Sequence, residues 1–306
     1  MEQGLKAMDL GANNNQRGTA AAMLGKMFKG QNKPKRIVAA VPTGKGKSRI
    51  IAALVSGMCL TGCARKIVVV FPSEILMKTD QEVLTKIAKL SQVKDAELEC
   101  RVGLKDLKYD KHTFYIVDEC DYELFEQQQM EAARHAQVKG WIGLTASSWA
   151  TGMEHLELLE KGFHTVDPKI SNTVNEHGVE ECELVEFFQK HPGRAKLIFA
   201  KEEAADVYKE LAKEHDLTYI ENCQDLEIIR NLTGKDMLVV TEEILMRGVD
   251  YRAQHGIDLL IATTTSTKRS FLQCLGRVGR GTDEAGRYIL KNTAKFRPEF
   301  QDKQIN

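Results

Sequence analysis

The sequence predicts an α/β protein of two domains, each a mainly parallel sheet flanked by helices, and three observations predict it. Its 306 residues suit two ordinary domains, and a hydrophobic content of 42% supplies each with a core. Short runs of aliphatic and β-branched residues alternate with longer amphipathic stretches, as expected of strands buried on both faces between covering helices. A polar segment, DPKISNTVNEHG at 167–178, shows neither period and separates two such series. The expected domains are therefore 1–172 and 173–306.

The elements follow in order. NNNQRG, with Gln16 and Arg17, reads as a polar helix start or N-cap ahead of the first strand. Lys26, Lys29, Lys33, Lys35 and Arg36 then crowd together, either as a local basic patch or as an ordinary solvated linker. RIVAAV at 36–41, KIVVVF at 66–71, TFYIVD at 113–118 and WIGLTA at 141–146 predict strands of the first domain. KLIFA at 196–200, DMLVVT at 236–241 and IDLLIATT at 257–264 predict strands of the second, with helical periodicity between them, as in KEEAADVYKELAKEH.

Charge and cysteine usage narrow the class. Lys plus Arg and Asp plus Glu both total 43, so no global field draws the chain to nucleic acid or membranes, and any binding surface is local. MEQGLKAMDLGANNNQ lacks the apolar core of a signal peptide, and no run approaches the roughly 20 apolar residues that span a bilayer, so a soluble intracellular protein in cytoplasm or nucleus is expected, with no membrane partner. Seven cysteines, an odd number scattered through predicted strands and helices, suit reduced thiols. Cys59 and Cys63 are expected on a buried helix, and no second Cys or His pair offers zinc its remaining ligands.

Two segments carry chemistry. VPTGKGKS at 41–48 lies between a buried strand and the apolar helical stretch RIIAALVSGMCL, the setting of a phosphate-binding loop. Thr43, Gly44, Lys45 and Gly46 form the turn whose backbone N–H groups face a β-phosphate, Lys47 reaches the β and γ phosphates, and Ser48 ligates Mg²⁺. Val41 stands where the strict pattern has glycine. YIVDECD at 115–121 ends a second buried strand in Asp118 and Glu119, at the sheet end where open α/β folds bind ligands. In a nucleotide site Asp118 holds Mg²⁺ and Glu119 orients and polarises the attacking water. Alone, such an acidic pair is an exposed strand end; with the phosphate loop upstream it points to ATP and Mg²⁺.

These segments resemble those of superfamily 2 helicases of the DEAD/DEAH type. DECD is similar to their Walker B box, WIGLTAS to their third motif, TEEILMRGVD at 241–250 to motif V and QCLGRVGR at 273–280 to motif VI. The resemblance implies two RecA-like P-loop domains and a motor that hydrolyses ATP and acts on RNA or DNA through phosphate-backbone contacts. It assigns Arg277 and Arg280 to the γ-phosphate and Gln273 to the polar residue opening motif VI. Gly248 and Asp250 match positions near the ribose and nucleic-acid backbone, Thr145 and Ser147 the pair coupling hydrolysis to movement, and Gln16 with Arg17 an adenine-reading element. No threonine-proline-glycine box lies between FPSE at 71–74 and DECD, so clamping or translocation is better supported than strand separation. A kinase or GTPase leaves the second half unexplained, and no NKxD-like tetrapeptide is present. The remaining alternative is an ATP-binding scaffold subunit of a larger assembly.

Overall fold

The computed structural model describes residues 14–28, 36–41, 46–90, 97–146, 157–166, 178–265, 267–279 and 284–295. The chain divides into two compact units, Met1–Asn172 and Thr173–Asn306.

The first unit runs α1 (Asn14–Phe28), β1 (Arg36–Ala40), α2 (Lys47–Thr61), β2 (Lys66–Phe71), α3 (Glu74–Leu90), β3 (Glu97–Val102), β4 (Thr113–Val117), a π-helical turn (Tyr122–Glu126), α4 (Met130–His135), β5 (Gly140–Thr145) and β6 (His164–Val166). Its six strands pair in parallel in the order β3-β2-β4-β5-β1-β6. Alternate residues of each strand serve the two faces. Ile37, Ile67, Val69, Ile116 and Ile142 pack beneath α1, α2 and α3, while Val38, Val68, Tyr115 and Trp141 pack against Leu124, Leu158 and Phe163 on the other face. Double burial explains why these strands read as unbroken apolar runs. α2 is buried from Ile50 through Cys59, and Gly62 at φ +61° ends it, its N–H donating to Cys59 O. Cys63 lies just beyond that helix.

The second unit runs β7 (Val179–Cys182), α5 (Leu184–Gln189), β8 (Ala195–Phe199), α6 (Ala205–Glu214), β9 (Thr218–Glu221), α7 (Leu226–Arg230), β10 (Asp236–Val240), β11 (Ile257–Ile261), α8 (Lys268–Leu275) and β12 (Ala285–Leu290). Its strands are again parallel, ordered β7-β12-β11-β8-β10-β9. Phe187, Tyr208 and Ala212 cover one face at Ile198, Met237, Val239 and Leu260. The expected two parallel α/β sheets are thus observed, and all seven strands predicted from apolar runs are present. Five more were not predicted: β3, β6, β7, β9 and β12. Their side chains are largely half-exposed, so neither a continuous apolar run nor a clean alternation marks them.

All seven cysteines are free thiols. Among the described residues, no helix is long and apolar enough to cross a membrane.

Candidate functional site

Because every strand of the first sheet runs the same way, the residues following β1, β4 and β5 share one rim. Val41 N–H donates to Thr145 O at 2.7 Å, and Asp118 N–H to Val70 O at 2.9 Å, so the ladder extends to the rim itself. Gly46 opens α2 as its N-cap with φ +83°, a left-handed conformation that disfavours a side chain. Space gives a second reason for glycine: a Cβ there would stand 2.2 Å from Gln16 Nε2. Gln16, buried on α1, is therefore packed against the end of the phosphate loop. Thr43, Gly44 and Lys45 lie outside the described residues, as do Ser147 and Arg280.

Lys47, on the first turn of α2, turns its amine to both acids of the DECD segment. Its Nζ makes a close ion pair with Glu119 Oε1 and lies 3.3 Å from Asp118 Oδ1. Asp118 is 7% exposed and Glu119 1%. Burying ions is costly unless they are paired, and here one cation serves two carboxylates, leaving net negative charge in a nearly dry site. The protonation equilibria follow. Burial, joined by the Glu119 charge and opposed by Lys47, pushes Asp118 up to about 6. Burial pulls the Lys47 amine down, yet the Asp118 and Glu119 carboxylates outweigh it and hold the amine above its usual range, so it stays charged. Asp121, 2% exposed, adds to the same pull and is a site acid that the sequence reading passed over within DECD.

Glu119 sits at φ +46°, a left-handed conformation costing a non-glycine residue about 1–3 kcal/mol. The conformation swings its carboxylate back toward Lys47, and its carbonyl accepts from Tyr122 N–H at 2.9 Å to start the next turn. Asp118 Oδ1, Glu119 Oε2 and Thr145 Oγ1 are buried without a hydrogen bond among the described residues. Hard oxygen donors left short of partners beside an ammonium, with the exposed Ser48 next to Lys47 on the first turn of α2, fit a Mg²⁺ that would take one or two carboxylates and complete its shell with phosphate and water.

The second unit gathers the motif V and motif VI residues. Arg247 is fully buried and donates from Nε to Gln273 Oε1 at 2.8 Å. Arg277 donates from Nε to Gln273 O at 2.8 Å and from Nη1 to Val249 O at 3.5 Å. Gly248 adopts φ +74°, allowing the tight turn in which Val249 N–H donates to Arg247 O at 2.9 Å. Asp250 pairs with Arg252 at 2.9 Å. Arg247 was missed in the sequence because a buried arginine looks there like any surface one. Separately, a cavity of about 480 Å³ opens where β8, β10 and β11 end, lined by Lys201, Thr241, Glu243, Arg247, Thr263 and Ser270, with Glu202 and Glu203 also on its wall.

The sequence matches no protein-family model and no curated protein. Its structure does have relatives. The chain is similar to S. cerevisiae Dbp5 bound to RNA and ADP BeF3, with a TM-score of 0.65 at 15% identity over 94% of this chain and 86% of that one. It is also similar to Mss116p bound to ssRNA and AMP-PNP, with a TM-score of 0.58 at 13% identity over 92% of this chain and 73% of that one. The fold is accordingly the one it shares with these structures, two RecA-like domains. It is similar as well to the DEAD-box helicase Mss116 bound to ssRNA and UDP-BeF, with a TM-score of 0.53 at 12% identity.

Proposed function

We propose that the chain is an ATP-hydrolysing motor that acts on nucleic acid, RNA being favoured over DNA because the structures it resembles hold RNA. The observation that carries the reading is the Lys47 ammonium held between Asp118 and Glu119 at the rim of the first sheet. In this reading the amine leaves the acids for the β and γ phosphates of ATP, beside the backbone N–H groups of Thr43, Gly44, Lys45 and Gly46. Ser48 and Asp118 would hold Mg²⁺, which would supply charge neutralisation at the transferring phosphoryl group. Glu119, freed from Lys47, orients a water and draws its proton. Gln16 reads the adenine, and Gly248 and Asp250 serve the ribose and the nucleic-acid backbone. Arg277 and Arg280 neutralise charge growing on the phosphoryl oxygens.

A second reading, an ATP-binding scaffold subunit, gains support from the cavity of the second unit. Glu202, Glu203 and Glu243 stand on its wall beside Lys201 and Arg247, a mixed-charge lining that suits a polar protein surface. Steady-state ATP turnover with single-stranded RNA, with single-stranded DNA and with neither separates the two. Stimulation by RNA supports the motor, and no turnover above a Glu119→Gln blank supports the scaffold.

A further inference from the structure

Inside the second unit, four residues close a ring of hydrogen bonds. Arg247 Nε donates to the Gln273 carboxamide at 2.8 Å, and Arg277 Nε donates to the Gln273 main-chain carbonyl at the same distance. Arg277 Nη1 reaches Val249 O at 3.5 Å, and Val249 N–H returns to Arg247 O at 2.9 Å. Two further bonds tie the same turn down: Tyr251 N–H to Arg277 O at 3.2 Å, and Tyr251 OH to Leu245 O at 2.6 Å. Arg247 is 0% exposed, and Gln273 and Arg277 are each 2% exposed.

A guanidinium is a planar fork with fixed donor directions, so burying one orients whatever accepts from it. Gln273 lies on α8, and Arg277 follows the end of that helix. With its oxygen turned to Arg247, the Gln273 side chain is anchored inward, away from the role of a nucleotide ligand. We infer that Arg247 is a positioning residue, acting through Gln273 to fix the helix end that carries Arg277, and that Gln273 contributes by this hold and not by contact with nucleotide. The inference rests on the ATPase reading above.

Three variants test it: Arg247→Met, Gln273→Ala and Gln273→Glu. Glutamate keeps an oxygen for Arg247 but loses the Nε2 donor, whose N–H has no hydrogen-bond partner among the described residues. Arg247→Met and Gln273→Ala should lower kcat roughly tenfold to a hundredfold, the scale of a small misplacement of a reacting group. KM for ATP should stay within about threefold, because ground-state binding is left in place. Gln273→Glu should recover most of what Gln273→Ala loses. Should Arg247→Met fail to fold, Arg247→Lys keeps the charge and loses the Nε fork, with the same kcat loss expected at a melting temperature near the parent's.

A Gln273→Glu chain as slow as Gln273→Ala would assign the amide N–H to the reaction and overturn the inference. So would an Arg247 variant that folds and turns over at the parent rate. Lys47→Ala separates the two levels: parent turnover abolished by it, with Arg247 variants indifferent, removes this inference alone, whereas a parent without turnover removes the ATPase reading and this inference together.

Discussion

Lys47 Nζ lies 3.3 Å from Asp118 Oδ1 while also paired with Glu119, so the residue expected to grip phosphate is held by the residues expected to hold metal and water. In the proposed function ATP would have to compete with the chain's own carboxylates for that amine. The net negative charge of the group has a consequence for stability. Glu119→Gln removes one of the buried acids crowded around Lys47 and leaves Asp118 and Asp121 to face it, which should raise the melting temperature of the nucleotide-free chain by about 2–4 °C, the shift that 1 kcal/mol gives in a domain of this size. The same variant should lower ATP turnover by a factor of about 10²–10⁴ by removing the base. Calorimetry beside a phosphate-release assay checks both, and a drop in melting temperature would contradict the charge argument.

Asp118 gives the site a pH dependence of definite sign. Its folded-state pKa, about 6, lies above the ordinary carboxyl value of 3.8, because burial outweighs the pull of Lys47. The folded chain then binds this proton more tightly than the unfolded chain. The cost to stability is full above the folded value and disappears as pH falls toward the unfolded one. Through this group the nucleotide-free chain should be more stable near pH 5 than near pH 8, and Asp118→Asn should flatten that profile. If Asp118 holds Mg²⁺ as proposed, turnover should run oppositely, falling as pH drops through about 6, because the metal would need the carboxylate. Melting temperatures and kcat/KM measured across this range report the two trends.

Gly46 is required twice over, by its φ of +83° and by the 2.2 Å approach of Gln16 Nε2 to any Cβ. Gly46→Ala should destabilise the first unit by about 1–2 kcal/mol from the left-handed backbone alone, and more from the displaced Gln16. Pairing it with Gln16→Ala removes the clash and leaves the backbone strain. The double variant should therefore melt above the sum of the two single effects, and simple additivity would show that the two residues do not touch.

In the second unit, Asp258 is fully buried and accepts from Lys196 Nζ at 2.9 Å, with His191 Nδ1 at 3.1 Å on its other oxygen. Asp258→Ala strands a buried ammonium and should cost about 3–5 kcal/mol. Asp258→Asn, which keeps an acceptor, should cost less. Denaturant unfolding ranks the two variants, and equal losses would mean that packing and not charge governs the position.

Some of this was legible in the sequence and some was not, for physical reasons. β1, β2, β4 and β5 read directly because both their faces are buried, whereas TYIE of β9 and VEEC of β7 are edge strands with mixed exposure and no usable period. The nearness of Lys47 to Asp118 and Glu119 was legible in outline, because the acids stand just past β4 and the lysine opens the helix that follows β1, an order the sequence already implies. The left-handed turn at Glu119 and the inward tie of Gln273 do not follow from order. They depend on the partners at Lys47 and Arg247, which only the folded chain brings within reach.

The most direct test of the central claim is release of inorganic phosphate from ATP by the purified chain, with Mg²⁺ and with Glu119→Gln as the blank. The account predicts turnover well above the blank, lost again in Lys47→Ala. Parent and Glu119→Gln chains releasing phosphate at the same rate would contradict it.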